Sequence, residues 1–147
     1  MGKINMGRVI LGGLLAGIVL NIVDSIAYGV VLAADFEAAM RDLGRGPITG
    51  SQIAWFVIVD FLYGILLVYL YAAIRPRFGP GPRTAVISGL LVWVGAVLLH
   101  SLAEMPMGLI PTRLAVIGMV IALVAFPVAA VVGAWPYKEG EGTAPTL

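Results

Sequence analysis

Four long runs of apolar residues, separated by short polar segments, set the pattern of the chain. The runs cover residues 9–32, 53–74, 84–103 and 112–133. Each matches the roughly 20 residues that an α-helix needs to cross a lipid bilayer. None alternates polar and apolar positions as the strands of a β-barrel do. The pattern predicts an all-α fold, a four-helix transmembrane bundle that forms a single membrane domain over residues 1–147.

Prolines mark the expected ends and bends of these helices. Because proline cannot continue a helix and disfavours helical backbone before it, Pro76 is expected to stop the second helix at Arg75. The fourth helix should start after Pro111 and bend at Pro127. Residues 139–147 are expected to form a flexible tail.

Composition agrees with lipid as the solvent around these helices. Of the 147 residues, 61% are hydrophobic and 12% are charged, and mean hydropathy is +1.03. A soluble domain is about half apolar and about a quarter charged. A water-soluble fold of this length has no means of covering so much apolar surface. The net charge of +1 gives no indication of a nucleic-acid partner.

Basic residues predict the orientation through the positive-inside rule. One side holds Lys3, Arg8, Arg75, Arg77, Arg83 and Lys138, and the other holds Arg41, Arg45 and Arg113. The excess on the first side places both termini in the cytoplasm. The first loop, on the outer side, has Phe36, Met40 and Leu43 on one helical face. It is read either as a short helix on the membrane surface that ends at Gly44 or as an ordinary polar connector.

Six polar residues fall near one level of the predicted bundle, in its outer half. They are Asn21, Asp24, Asp60, His100, Glu104 and Arg113. An ionisable residue inside a span costs about 2.5–3.5 kcal/mol on insertion scales, so these side chains are expected to point into the bundle. The cluster either lines a cavity that binds a cation, a proton or a small polar ligand, or supplies hydrogen bonds that hold the helices together.

Small residues recur every four positions along the first span. Gly13, Gly17, Ser25 and Gly29 form a stripe that lets another helix approach closely. The fourth span has a similar stripe, made of Gly118, Ala122, Ala125, Ala129 and Gly133. Packing within the bundle is the main interpretation, and a homodimer face is the alternative.

The loop after the second span is rich in proline, glycine and arginine. Arg75, Arg77 and Arg83 on this stiff turn would bind an anionic lipid headgroup. The alternative is that they serve only as the positive-inside signal.

Neither a metal nor a cofactor is expected. The chain has no cysteine, which excludes disulfides, thiol catalysis and cysteine-bound metal sites. Soft ligands for copper lie close together at His100 and in the two methionines around Pro106. The proline breaks the helix between these methionines, and no second histidine or cysteine completes a site. No enzyme motif such as a P-loop or HExxH is present.

The chain also shows weak self-similarity at an offset of 76 residues. Residues 10–15 then lie over 86–91, and Asp24 lies over His100. This offset suggests two helical hairpins related by a pseudo-two-fold axis along the membrane normal.

The stretch of residues 70–85, LYAAIRPRFGPGPRTA, resembles a signature of small four-span bacterial membrane proteins of uncharacterised function. The resemblance extends loosely to residues 12–17 and 111–114. It implies a bacterial inner-membrane location and carries no activity or catalytic residue.

Three hypotheses for function follow. The first is a non-enzymatic membrane protein, either an accessory subunit of a larger complex or a self-associating bundle, in which Asp24→Asn and His100→Ala weaken stability or assembly. The second is a small proton- or cation-coupled transporter that uses the outer polar cluster. The third is an intramembrane enzyme that acts on a lipid or quinone, with His100 as the base.

Overall fold

A computed structural model describes residues 3–140, and within them all of the regular secondary structure is helical. Four helices are long and apolar enough to cross a membrane. The first span is α1 (Met6–Ile26) with a π-helical end (Ala27–Val31), and the short helix α2 (Ala33–Asp42) follows it. The second span is α3 (Gly50–Phe78), and the fourth is α6 (Thr112–Ala134). The third span joins α4 (Pro82–Val92), a π-helical turn (Trp93–Leu98), α5 (Leu99–Glu104) and a 3₁₀ turn (Met105–Met107). The prediction of an all-α four-helix bundle is confirmed.

The spans run alternately up and down in a ring. α1 and α4 each pack against both α3 and α6, and α3 and α6 also touch across the centre. Residues 3 and 140, the first and last that the structure describes, therefore lie at one end of the bundle, called here the terminal side. α2 and the 108–111 turn lie at the other end, the α2 side.

The end of α3 differs from the sequence prediction. The helix passes through Pro76 and ends at Phe78, so the expected stop at Arg75 is wrong. Pro76 lies in the last turn, where the proline costs the helix a single backbone hydrogen bond near its end. The helix ends instead at Gly79, whose φ of 82° is a left-handed conformation that glycine adopts readily.

Glycines allow α1 and α3 to cross at backbone contact. A Cβ atom placed on Gly13 would lie 2.6 Å from the Ile65 Cα, and one on Gly64 would overlap the Gly13 carbonyl oxygen. Gly17 meets Phe61 in the same way. The packing role predicted for Gly13 and Gly17 therefore agrees with the structure.

The contact between α4 and α6 repeats that arrangement. A Cβ atom on Gly89 would lie 2.6 Å from the Pro127 Cα and 2.9 Å from the Phe126 carbonyl carbon. Gly89 is the residue that the 76-residue offset places over Gly13. Equivalent glycines thus form the close crossing in each hairpin, which supports the proposed internal repeat.

The terminal side is closed by the end of the chain. Tyr137 is 5% exposed and stacks edge-on against Tyr71, with 5.8 Å between ring centroids. The Gly140 amide donates to the Lys3 carbonyl oxygen at 3.2 Å. The flexible tail was expected to start at residue 139, yet Glu139 and Gly140 are held against the bundle. Residues 141–147 lie outside the described residues.

The α2 side carries the short helix predicted in the first loop. α2 packs through Ala39 against Leu32 and Leu114, all of them buried. The chain leaves the helix through Gly44, whose φ is 68°. The prediction of a short helix in this loop is confirmed; the helix ends at Asp42, two residues before Gly44, and its placement on a membrane surface stays a prediction.

Candidate functional site

The α2 side of the bundle holds a cavity of about 660 Å³. All four spans line it, together with Phe36 of α2 and Ile48. Most of the lining is apolar, and its acidic members are Asp24, Asp60 and Glu104. Its other polar members are Asn21, Ser25, Tyr28, Tyr63 and Ser101. Among the described residues, no lysine, arginine or histidine lines this cavity.

Asp60 is the most enclosed of the carboxylates. It is 9% exposed and lies on α3 about 15 Å from the helix start, at 1.5 Å per residue. Within residues 3–140 its carboxylate has neither a hydrogen-bond donor nor a cationic partner. A charged group in this position lacks the compensation that buried charges normally have.

Asp24 of α1 faces the same cavity and is half-buried. In the described part of the chain it too makes no side-chain hydrogen bond and no ion pair. The sequence-based expectation that Asp24 and Asp60 lie near one another inside the bundle agrees with this placement. The structure brings these two carboxylates together on one apolar-walled space.

Asn21 behaves differently from the two aspartates. Its Nδ2 donates to the Gly17 carbonyl oxygen at 2.9 Å and to the Val57 carbonyl oxygen of α3 at 3.4 Å. Both amide hydrogens therefore have acceptors, one of them on the neighbouring helix. Asn21 is a hydrogen-bond contact between α1 and α3, although it also borders the cavity.

His100 does not join the cluster, so the expectation that it points into the bundle is wrong. Its side chain is 65% exposed, and its Nε2 lies 3.2 Å from Glu104 Oε1, an i, i+4 pair on the same helix. The neighbouring Ser101 lines the cavity instead.

A π-helical turn shifts the cavity-facing side of this span. Each π turn inserts one residue into the α-helical register, so residues beyond it lie about 100° from where a regular helix would place them. The turn at Trp93–Leu98 lies directly before α5, which holds His100. A regular period of 3.6 residues carried on from the buried Val92 falls at about positions 96, 99 and 103. The observed cavity residues Val97, Ser101 and Glu104 lie one to two positions later, and the inserted residue accounts for most of that shift but does not by itself turn His100 outward. Turns of this kind are frequent at functional sites.

Arg113 also lies apart from the two aspartates. Its Nη1 is 3.9 Å from Asp35 Oδ2, and both side chains are largely exposed. The pair joins α2 to the start of α6 at the rim of the bundle. Glu104 lies between the cavity and the exposed His100, because it lines the cavity and pairs with that histidine.

Aromatic rings form much of the apolar wall. Tyr28 meets Phe36 edge-on with 5.9 Å between centroids, and Tyr63 meets Phe126 edge-on at 5.4 Å. Phe56 also faces the cavity and is 52% exposed. Phe56 and Phe126 were not singled out from the sequence, because aromatic residues in apolar spans give no signal of which face they occupy.

Two of the four predicted packing residues of α1 line the cavity instead. A Cβ atom on Gly29 would meet nothing within 4 Å, and Ser25 is exposed toward the cavity. Both positions follow the part of α1 that crosses α3. Packing within the bundle is therefore not the role of Ser25 and Gly29, and the alternative of a homodimer face stays a prediction.

The three arginines of the loop at residues 75–83 are not equivalent. Arg75 lies over the Tyr137 ring, 5.6 Å from its centroid, and its Nη1 is 3.5 Å from Glu139 Oε1. Arg77 and Arg83 are exposed. Arg75 thus contacts the end of the chain, and only the other two have exposed side chains.

The cavity offers few ligands for a metal ion. In the described part of the chain, no group of three or more His, Cys, Asp or Glu side chains is placed to hold a metal. Calcium needs six to eight oxygen ligands and magnesium a near-octahedral set. Two carboxylates on an apolar, aromatic wall are better suited to contact one positive charge on a larger molecule.

Comparisons of the chain with protein-family models, with curated proteins and with solved structures gave no match. The four long apolar helices agree with a small four-span membrane protein, and no family is identified. The assignment of a function therefore depends on the cavity itself.

Proposed function

We propose that this four-span membrane protein binds a cation in the cavity on its α2 side, with Asp24 and Asp60 as the groups that contact the positive charge. This proposal develops the transporter hypothesis, because binding at a polar site within the bundle is the first step that cation-coupled transport requires.

The observation that carries the proposal is the unpartnered carboxylate of Asp60. It is 9% exposed in a largely apolar cavity, and no described residue supplies a donor or a counter-charge. Ionisable groups inside membrane spans usually pair with each other or mark ion and substrate pathways. Since neither aspartate pairs within the described residues, a bound cation is the partner that would compensate both.

The hypothesis of a purely structural polar cluster has less support. A structural cluster would require hydrogen bonds between helices. Of Asn21, Asp24 and Asp60, only Asn21 makes one within the described part of the chain. The enzyme hypothesis needs His100 beside a cavity, whereas Ser101 occupies that position. We therefore do not propose a reaction.

The test is thermal unfolding of the purified full-length protein in detergent with a panel of chloride salts. The cations are sodium, potassium, magnesium, calcium and tetraphenylphosphonium. A ligand that binds only the folded state stabilises it by about 2.7 kcal/mol at 100 times its dissociation constant. We expect at least one cation to raise the melting temperature of the native sequence, and this rise to disappear in Asp24→Asn and Asp60→Asn.

Asp42→Asn is the matched control. Asp42 is an exposed aspartate at the end of α2 and lies outside the cavity. Its variant makes the same chemical change and should keep the full cation response. A panel in which no cation acts, or in which the response survives in both cavity variants, would contradict the proposal.

We also propose the orientation and the membrane location that the sequence predicts. Both termini face the cytoplasm because the terminal side carries the larger set of basic residues, so the cavity opens outward. The resemblance of residues 70–85 suggests a bacterial inner membrane. Exposed Arg77 and Arg83 are proposed contacts for anionic lipid headgroups. Assembly as a homodimer or within a larger membrane complex stays a hypothesis.

A further inference from the structure

We propose that the ligand of this cavity is a lipophilic organic cation, a molecule with one delocalised or alkylated positive charge on an aromatic or aliphatic body. This inference rests on the proposed function and names the class of cation. It depends on four features of the cavity, which are its volume, its walls, its small number of oxygen ligands and the side on which it opens.

Volume is the first feature. A cavity of about 660 Å³ lies in the middle of the range of about 300–1,000 Å³ that is usual for pockets holding drug-sized molecules. A bare inorganic ion fills a small fraction of that space, and the apolar remainder would gain nothing from its presence. A body of several rings or alkyl groups would bury the apolar wall, which is where most of the binding free energy of such a pocket arises.

The aromatic walls are the second feature. Tyr28, Tyr63 and Phe126 line the same cavity as the two aspartates, and the hydroxyl of Tyr28 reaches Gly118 on the neighbouring helix α6. Aromatic faces attract organic ammonium and related cations, by about 2 kcal/mol or more when the contact is desolvated. Carboxylates set among aromatic rings therefore favour a cation whose charge is spread over an apolar surface.

The third feature is the small number of oxygen ligands. A hard inorganic cation must exchange its hydration shell for a full set of oxygen atoms. The described residues provide no cluster of three or more candidate metal ligands. An organic cation holds its water weakly and needs only charge compensation, so one or two carboxylates are sufficient.

The side on which the cavity opens is the fourth feature. Residues 51–58 at the α2-side end of α3 are all exposed, and no residue of α5 is buried. These two segments flank the cavity, and Ile53 and Glu104 belong both to its lining and to the exposed surface. In a bilayer this gap faces the acyl chains. A lipophilic cation dissolved in the membrane would therefore meet the aspartates without first entering water.

Equilibrium dialysis of radiolabelled tetraphenylphosphonium against the detergent-solubilised full-length protein tests this inference. Tetraphenylborate has nearly the same shape and the opposite charge, so it separates attraction by carboxylates from simple hydrophobic partition. We expect saturable binding of tetraphenylphosphonium and no saturable binding of tetraphenylborate, measured in separate dialyses because the two ions pair with each other. Loss of a contacting charge in an apolar site should weaken binding by at least about tenfold in Asp60→Asn, with Asp42→Asn unchanged.

A second pair of variants keeps the test valid if Asp60→Asn misfolds. Phe56 and Trp55 are adjacent, exposed aromatic residues on α3, and only Phe56 lines the cavity. Phe56→Ala should weaken tetraphenylphosphonium binding severalfold, and Trp55→Ala should leave it unchanged. Neither side chain is in the buried core, so both variants should fold.

Three results would overturn the inference. They are equal binding of tetraphenylborate, unchanged affinity in both Asp60→Asn and Phe56→Ala, and absence of saturable tetraphenylphosphonium binding. If an inorganic cation still stabilises the native protein through Asp24 and Asp60, only this inference fails and the proposed function stands. If no cation does so, both fail.

Discussion

Asp60 and Asn21 are two polar residues inside membrane spans, and their surroundings give them opposite roles. Asn21 donates to a carbonyl oxygen of the neighbouring helix, whereas the Asp60 carboxylate faces an apolar cavity without a described partner. The cost of placing an ionisable group in a span, about 2.5–3.5 kcal/mol, is therefore not compensated at Asp60 in the ligand-free protein. Functional sites commonly keep such a group at the expense of stability.

This contrast predicts stability changes of opposite sign. Asp60→Leu should raise the free energy of unfolding of the ligand-free protein by about 1–3 kcal/mol, because it removes an uncompensated polar group from an apolar site. Asn21→Leu should lower it by about 0.6–1.7 kcal/mol, the range for hydrogen bonds between membrane helices. Chemical unfolding in mixed micelles measures both. A clear loss of stability in Asp60→Leu would mean that this carboxylate is structural.

The sequence predicted the positions of some site residues correctly and gave no indication of others. Asp24 and Asp60 could be found because charges are rare in apolar spans and their depth follows from counting residues. His100 could not be placed, because the expectation that it points inward came from the cost of an ionisable group in lipid, which does not determine the face of the helix that the residue occupies. The aromatic wall was missed because phenylalanine is equally at home facing lipid, protein or a cavity.

Helices in this protein meet through glycine at three crossings, one of them formed by Gly12 of α1 and Gly133 of α6, and diverge beyond them on the α2 side. Gly13 and Gly64 bring the backbones of α1 and α3 into contact, and Gly89 does the same for α4 and α6. The π-helical end of α1 and the π turn before α5 both lie on the α2 side of these crossings. The close crossings and the two irregular segments together leave space for the cavity. The stripes of small residues predicted the first feature, and no sequence signal predicted the second.

The α1–α3 crossing predicts a large effect from one methyl group. In Gly64→Ala the new Cβ would overlap the Gly13 carbonyl oxygen and lie 2.5 Å from the Gly17 amide nitrogen, and these backbone atoms have little freedom to move. We expect a loss of about 1–3 kcal/mol, typical of overpacking, despite the better helix propensity of alanine. Gly29→Ala, where no atom lies within 4 Å, is the control and should not be destabilising. Equal melting temperatures for the two variants would contradict this packing.

The π turn before α5 can be tested by deleting one residue. Gly95 lies inside the turn, and a Cβ there would meet nothing within 4 Å, so its removal disturbs no close contact. Because a π turn holds one inserted residue, its removal should restore a regular α-helix and leave the faces of α5 where they are. The chain has no cysteine, so single cysteines at positions 100 and 101 can be labelled selectively.

In the native protein in detergent we expect a small membrane-permeant maleimide to label His100→Cys faster than Ser101→Cys, because position 100 is exposed and position 101 faces the cavity. The deletion should keep that order, since the inserted residue and the π turn disappear together. A reversed order would show that the turn does not absorb an extra residue.

The molecule as a whole is closed at one side and open at the other. On the terminal side, the last described residues tie the ends of the chain together through Tyr137, Arg75 and the Gly140 amide. On the α2 side, the ends of the spans separate around the cavity. A protein closed at one face and open at the other has the form expected for a site that loads from one side. The sequence predicted four spans from apolar length alone, whereas the closed terminal side depends on contacts between residues that are about 60 to more than 130 positions apart.

Arg75→Gln tests the closure of the terminal side. Loss of the contacts with the Tyr137 ring and Glu139 should release residues 135–140, since a cation–π contact at a partly exposed site contributes about 0.5–1 kcal/mol. Hydrogen exchange measured by mass spectrometry should be faster in this segment and unchanged around the cavity. Arg77→Gln, at an exposed arginine of the same loop, is the control. Identical exchange in both variants would show that Arg75 does not hold the segment.

The central claim is that partner-free carboxylates face an apolar cavity that is open to the membrane. Reaction of the full-length protein in liposomes with a hydrophobic carbodiimide, followed by peptide mass spectrometry, tests it most directly, because such a reagent reaches carboxyl groups through lipid. We expect adducts on Asp60 or Asp24, suppressed by tetraphenylphosphonium, and little reaction at the exposed Glu37 of α2, which lies outside the cavity. If peptides that cover both Asp24 and Asp60 are detected and neither residue carries an adduct, the carboxylates do not face such a cavity and the claim is wrong.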